Sequence, residues 1–483
     1  MRWGARATVA LSLLLAATAS SAPTAPLVTS QRPAQGRLTA DLREHVTRFQ
    51  RIADQNGRTR LAGTAGYDAS ARYVAGLMRR VGYRVSLQEF TFLLVVDLAP
   101  PTLRAVGAPS WSHRAGRDYA TLAYSGRGRV QARVAAVDLL VPSSRTNAST
   151  SGCEPADFAG FPASAVALVQ RGTCFFRVKV DNAIAAGASA VVVFNEGGSQ
   201  TELFRGTLGA PQVRIPALSA TFALGDDLRN GVSSGPTGVT VALGTDMVAE
   251  RRRTTNVIAE SATGNPDEVV VVGAHLDSVA FGPGINDNAS GSALVLEVAE
   301  RLAAQRPRNR LRFVWWGAEE QGLLGSRHYV ARLSRAARAR IALYLNFDMV
   351  ASRNFTRFVY DGDGSASSGG TPLPPASAAV ERVFARYFEA RDLPFRETGM
   401  GGSDHRSFAG AGIPVGGLFT GADGAKSQAD AAAFGGRAGA PYDACYHRAC
   451  DTVANVNWRA LTGSTQAALF VVRAFARDTA RVR

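Results

Sequence analysis

At 483 residues, with 46% hydrophobic and 19% charged side chains, the chain has material for one large or several ordinary domains and core enough to fold without cross-links. Its formal charge of +15 is carried almost wholly by arginine, with Lys179 and Lys426 as the lysines. The arginines are scattered, as at Arg251, Arg306 and Arg310, with no aromatic interleaving and no nucleic-acid motif, so the charge reads as solvated surface and no nucleic-acid partner is expected.

In chain order, residues 1–22 combine two arginines, an apolar run ending near Ala17 and small residues around Ala19 to Ala22. This is the pattern of a secretory signal peptide, too short in its apolar part to span a bilayer. A secreted, extracellular protein is expected, and no later segment predicts a membrane anchor. Export favours paired thiols. Cys445 and Cys450 are close enough to staple a tight loop, which leaves Cys153 with Cys174. Residues 33–96 begin with two segments of helical periodicity, followed by a strand in "RVSLQEFTF". From 97 to 246 the texture changes to short β-like runs punctuated by Gly and Pro, with one helix in "FRVKVDNAIAAGA". Residues 250–483 alternate strand and helix. A small β-rich domain inserted into a larger α/β domain accounts for this order.

The stretch "EVVVVGAHLDSVAFGPGINDNASGSALVLEVAERL" reads as a buried strand, a glycine-rich turn and a helix entered through Asp287. In open α/β sheets ligands bind beyond the carboxyl ends of the strands, where this stretch places His275 and Asp277. A carboxylate two residues from an imidazole can accept the proton of one ring nitrogen and aim the other at a metal. Four more strand ends carry polar groups: Glu319 and Glu320 after "RFVWW", Asp348 after "LYLNF", Ser403 to His405 before "VGGLF", and His447 between Cys445 and Cys450. Two histidines with several carboxylates and no thiolate suit Zn²⁺ or a similar ion. Five ligands exceed one open tetrahedral site and fit two ions sharing a carboxylate and a water. If one of Glu319 and Glu320 binds metal, the other is left beside the water as a proton acceptor.

"GAHLDS…GINDNASG", "WWGAEEQGLLGS", "LNFDM", "GGSDH" and "CYHRACD" together resemble the secreted two-zinc aminopeptidases of bacteria, relatives of fungal aminopeptidase Y and of glutamate carboxypeptidase. The inserted block, especially "ALVQRGTCFFRVKVDNAIAAGASAVVVFN", resembles a protease-associated (PA) domain. The resemblance implies a mixed, largely parallel sheet flanked by helices. It puts His275 and Asp348 on one zinc, Glu320 and His447 on the other, and Asp287 between them. It makes Glu319 the general base, Tyr446 the donor to the oxyanion and Asp277 the partner of His275. Met349 and Phe419 fall where relatives line an apolar pocket for the first side chain of a peptide, best filled by a bulky residue such as leucine. At Gly402, close relatives can carry an arginine, so no guanidinium anchors substrate there. Competing readings are a glutamate-releasing carboxypeptidase, for which no motif supplies a cationic pocket, and a receptor-like protein without catalysis, which would be expected to have lost ligands. Oligomeric state leaves no mark in the sequence.

Overall fold

The computed structural model describes residues 31–482 apart from 108–111, 142, 144–147 and 367–372; the leader expected at 1–22 lies outside the described residues. The larger of two mixed sheets has eight strands. Across it they run Arg84–Asp97, Met247–Glu260, Asn309–Trp316, Asn265–His275, Ile341–Phe347, Val415–Phe419, Phe358–Tyr360 and Arg396–Thr398. The third to sixth are mutually parallel, and antiparallel pairings attach the strands on either side. The expected mixed, largely parallel sheet flanked by helices is the one observed.

Both faces of its centre are covered, which explains the valine run. Val270 and Val272 enter a core shared with helices Gly291–Leu302, Ser377–Glu389 and Trp458–Arg477. Val269 and Val271 enter a second core with Tyr329 and Phe408, from helices Leu324–Ala331 and His405–Ala409. A strand buried on both sides reads as continuous apolar sequence. Register then places the chemistry. His275 pairs with Trp316, Gly273 with Asn346 and Phe347 with Leu418, so His275, Asp348 and Phe419 emerge abreast from one edge.

Helix Gly291–Leu302 begins four residues after Asp287, a correction to the expected start. Asp287 itself has φ −110° and ψ 91°, in an irregular turn over Ile285–Ser290. Side chains hold this turn in place of helical bonds: Asp451 accepts the backbone N–H groups of Asn286 and Asp287 at 2.8 and 3.0 Å, and Asn288 Oδ1 accepts that of Gly291 at 2.8 Å. A Cβ on Gly291 would lie 2.1 Å from the Phe347 carbonyl, so glycine alone lets the helix start sit against the strand that delivers Asp348.

The chain leaves the large sheet at Asp97 and returns at Met247, which are register partners. Between them lies a seven-stranded sheet in the order Thr102–Ala105, Gly235–Thr245, Gly128–Ala136, Val166–Gln170, Ala190–Phe194, Ala217–Ala220 and Tyr119–Thr121. The expected helix spans Phe176–Ala185, and a second, Phe222–Arg229, interrupts the block as well. At eight residues it is too short to display a period, and it rests on the Thr221 hydroxyl accepting the Leu224 N–H at 3.3 Å. Cys153 is bonded to Cys174 and Cys445 to Cys450, the pairing expected.

Candidate active site

Five side chains from five separate segments converge beyond the carboxyl edge of the large sheet. His275 Nε2 lies 3.2 Å from Asp287 Oδ1 and 3.3 Å from Asp348 Oδ1. His447 Nε2 lies 3.1 Å from Asp287 Oδ2 and 3.1 Å from Glu320 Oε2. Asp287 thus turns one oxygen to each histidine. A tetrahedral zinc with bonds of about 2.0–2.1 Å sets its ligand atoms about 3.3 Å apart, the spacing seen in both groups. His275 Nε2, Asp348 Oδ1 and Glu320 Oε1 are buried without a hydrogen-bond partner. Buried polar atoms are ordinarily paired, so close approach without hydrogen bonding fits a set of metal donors. Glu319 joins His275 and Asp348 in a cluster whose donor atoms lie within 4.8 Å of one another.

Backbone turns aim these groups. Ala318, Met349 and His447 have φ of 56°, 52° and 56°, left-handed values that non-glycine residues adopt at a cost of about 1–3 kcal/mol when the surroundings enforce them. They flank Glu319 and Asp348 and carry the His447 ring itself. Asp277 lies beside His275 without the hydrogen bond expected of its partner. Its Oδ1 stands 3.6 Å from His275 Nδ1, longer than a hydrogen bond, while its two oxygens accept the Glu319 and Glu320 N–H groups at 3.1 and 3.2 Å. One carboxylate therefore ties the His275 strand end to the Glu319–Glu320 turn.

The Peptidase family M28 model matches residues 256–472 and the PA domain model residues 131–228. An aminopeptidase of Pseudomonas aeruginosa is 45% identical over 439 residues, 89% of this chain and 79% of that protein. This chain belongs to peptidase family M28. Also similar is a probable leucine aminopeptidase 2 of Aspergillus oryzae, at 38% identity over 88% of this chain and 82% of that one. Among solved structures, an aminopeptidase from Aneurinibacillus sp. strain AM-1 superposes with TM-score 0.60 at 26% identity, over 92% of this chain and 96% of that one. A zinc aminopeptidase from Bacillus subtilis gives 0.56 at 25% identity, over 91% and 94%. The M28 enzyme described here is a metallo-aminopeptidase with an inserted PA domain.

Electrostatics in the peptidase site follow from packing carboxylates together. Burial pushes Glu320 up to about 7, with Asp287 adding to the effect. Burial also raises Glu319 well above its ordinary range, reinforced by Asp404, Asp348 and Glu320 and opposed by His275. His447 is raised to about 10, because Asp287 and Glu320 outweigh the burial that opposes its charge. Asp287, flanked by both histidines, is held well below the usual carboxylate range in spite of burial. Burial lifts the Tyr446 phenol too, with Asp287 and Glu320 nearby, and its ring stacks on His447 at 3.8 Å between centroids.

Glu320, Tyr446 and His447 line a cleft of about 1830 Å³; Met349 and Phe419 are not among the described residues that line it. Met349 is buried. Phe419 stacks on Phe358 at 6.0 Å. Gly402 is exposed, and a Cβ there would meet nothing within 4 Å.

Several residues that sequence reasoning passed over support the site. Arg60, between the helices Gln31–Asp54 and Ala65–Arg80, is fully buried and donates to the carbonyls of Pro283, Leu276 and Gly284. Burial lowers it to about 10, while Asp277, Asp451 and Asp287 favour its charge. Asp451 is pushed up to about 7 by burial and receives Asn455 as well as the two backbone N–H groups of the Asp287 turn. Asp404, seen in the sequence only as part of a polar strand end, is fully buried with both oxygens lacking a hydrogen-bond partner. No local signal marks Arg60. Asp451 sits one residue past Cys450, where proximity to His447 was the available clue.

Proposed function

We propose that this chain is an exported two-zinc aminopeptidase that removes a bulky apolar N-terminal residue, leucine foremost, from peptides. The observation that carries the reading is Asp287, whose two oxygens each face a different histidine, with Asp348 completing one group and Glu320 the other. In this reading His275, Asp348 and Asp287 hold one ion and His447, Glu320 and Asp287 the second. Such ions would supply Lewis-acid polarisation of a carbonyl and a water reactive at neutral pH.

The chain's own groups do the rest. The substrate's α-amine is held by the acidic cluster. Glu319, whose backbone is anchored on Asp277 and whose carboxylate makes no hydrogen bond or ion pair among the described residues, takes a proton from the attacking water. It then returns that proton to the leaving amine. Tyr446, whose raised phenol stays protonated, donates to the carbonyl oxygen as negative charge develops there. Met349 and Phe419, expected in the pocket for the first side chain, do not line the described cleft, and the leucine preference rests on the name of the Aspergillus relative. Two disulfides support an extracellular location. The pairing of Asp97 with Met247 supports division into 33–96 and 250–483 as the peptidase unit and 97–246 as the insert.

The test is a profile of amino-acid p-nitroanilides with and without chelator, beside elemental analysis of the purified chain. Leucine p-nitroanilide should be cleaved best, chelation should abolish cleavage, zinc should restore it, and two zinc ions per chain should be found. N-acetylated leucyl peptides should resist. Cleavage that survives full removal of metal would refute the reading.

A further inference from the structure

The cleft onto which Glu320, Tyr446 and His447 open has a second wall made by the inserted domain and the strand leading into it. Its volume of about 1830 Å³ exceeds the roughly 300–1,000 Å³ usual for a site that holds one small molecule. A single N-terminal residue would leave most of it unfilled.

The walls have two chemistries. One is an apolar strip that includes Leu93, Val95, Val96, Leu98 and Pro100. Leu93 and Leu98 are 41% and 42% exposed, among the few large apolar side chains left open to solvent. The other chemistry is cationic: Arg114, Arg117 and Arg205 from the insert face a cleft that also has Arg327 and Arg448 from the peptidase unit. Against these five arginines stand three carboxylates among the lining residues, Asp97, Glu320 and Asp423. Glu320 is committed to the site. Asp97, near Arg205, is raised to about 6 by burial, with Asp246 adding to the effect, so at neutral pH it still offsets part of the arginine charge. Arg117 is paired with Asp118 at 2.8 Å. The side chains of Arg114, Arg205 and Arg327 are exposed and make no hydrogen bond or ion pair among the described residues.

We propose that this cleft receives the part of the peptide beyond the cleaved bond, lays its apolar side chains on the Leu93–Pro100 strip, and reads its negative charge with Arg114, Arg205 and Arg327. The occupant is a short peptide whose C-terminal carboxylate or acidic downstream residues reach these guanidinium groups. Selectivity for the downstream end then resides in the inserted domain, separate from the pocket for the first side chain. The inference rests on the aminopeptidase reading above. Low-dielectric walls of one charge sign focus the field on an oppositely charged ligand, and the effect weakens with salt.

The experiment uses the zinc-loaded full chain and two peptide pairs: Leu-Ala-Ala-Ala as free acid and as C-terminal amide, and Leu-Ala-Glu-Ala-amide beside Leu-Ala-Lys-Ala-amide. Each kcat/KM is divided by the same protein's value on leucine p-nitroanilide, which has no downstream chain. The native enzyme should favour the acidic member of each pair by roughly three- to tenfold, the scale of a few exposed charge pairs acting together, through KM and less so at high salt. In Arg114→Gln/Arg205→Gln the preference should fall below about twofold. Equal rates within each pair for the native enzyme, or a preference that the double variant retains, would overturn the proposal while leaving the aminopeptidase reading intact. A native enzyme inactive on the anilide and on every peptide would overturn that reading, and this inference with it.

Discussion

The two sheets of this molecule treat the ends of their parallel strands in opposite ways. In the insert, Gln170 closes the strand Val166–Gln170 fully buried and fully engaged. It accepts the Leu140 N–H at 2.9 Å and donates to the carbonyls of Leu140 and Glu196 at 2.8 and 3.0 Å. Asn195, one residue past the next strand, donates to the Glu202 carbonyl at 2.7 Å. At the corresponding edge of the large sheet, His275, Glu320, Asp348 and Asp404 keep buried polar atoms without hydrogen bonds. The first arrangement ties loops to a sheet. The second costs folding free energy that a bound cation would recover. A polar residue at a strand end is therefore not a sign of function by itself; several unsatisfied ones gathered at one edge are.

That contrast can be broken most severely at Glu319. Glu319→Ala should keep its zinc and lose roughly 10²–10⁴-fold in leucine p-nitroanilide hydrolysis, read by steady-state kinetics beside metal analysis; full activity would remove Glu319 from the role of base. Next is Arg60→Met, which leaves three buried carbonyls without their cation and should lower stability by about 3–5 kcal/mol in denaturant unfolding. On the insert side, Gln170→Ala should cost about 1–3 kcal/mol with zinc content unchanged, the signature of a satisfied strand end. The gentlest probe is pH. Glu320, raised to about 7, and His447, raised to about 10, both hold protons that zinc must displace. Low pH therefore favours the proton and rising pH the metal. Zinc affinity should climb about a hundredfold per pH unit below about pH 7, where both protons are released, and about tenfold per unit from there to about pH 10, where His447 alone still gives one up, measured by competition with a chelating dye.

Much of this was legible from local pattern. Four valines buried on both faces produce an unbroken apolar run, and the polar residues that follow it fall at a sheet edge for reasons of strand geometry alone. His275, Asp287, Glu320, Asp348 and His447, with Glu319 beside them, were named on that basis and by family resemblance, and the fold brings all six together. Arg60 was not legible, because its carbonyl partners lie 216 to 224 positions away and no spacing rule spans such a distance. The helix Phe222–Arg229 is not legible because two turns display too little of a 3.6-residue period. Local pattern reads the irregular turn at Asp287 as the start of the helix, because the Asp451 carboxylate that replaces its helical bonds comes 164 residues later.

By itself, the sequence determined the identity of the two sheets, the cysteine partners and the set of groups able to bind metal, since each depends on residue type and short-range periodicity. Only the tertiary structure decided that Asp287 would turn one oxygen to each histidine, that Arg60 and Asp451 would hold the turn carrying it, and that arginines of the insert would face the same cleft. Those outcomes are contacts between segments far apart in the chain, made when two buried faces close over one sheet, and such closure leaves no periodic trace in either segment.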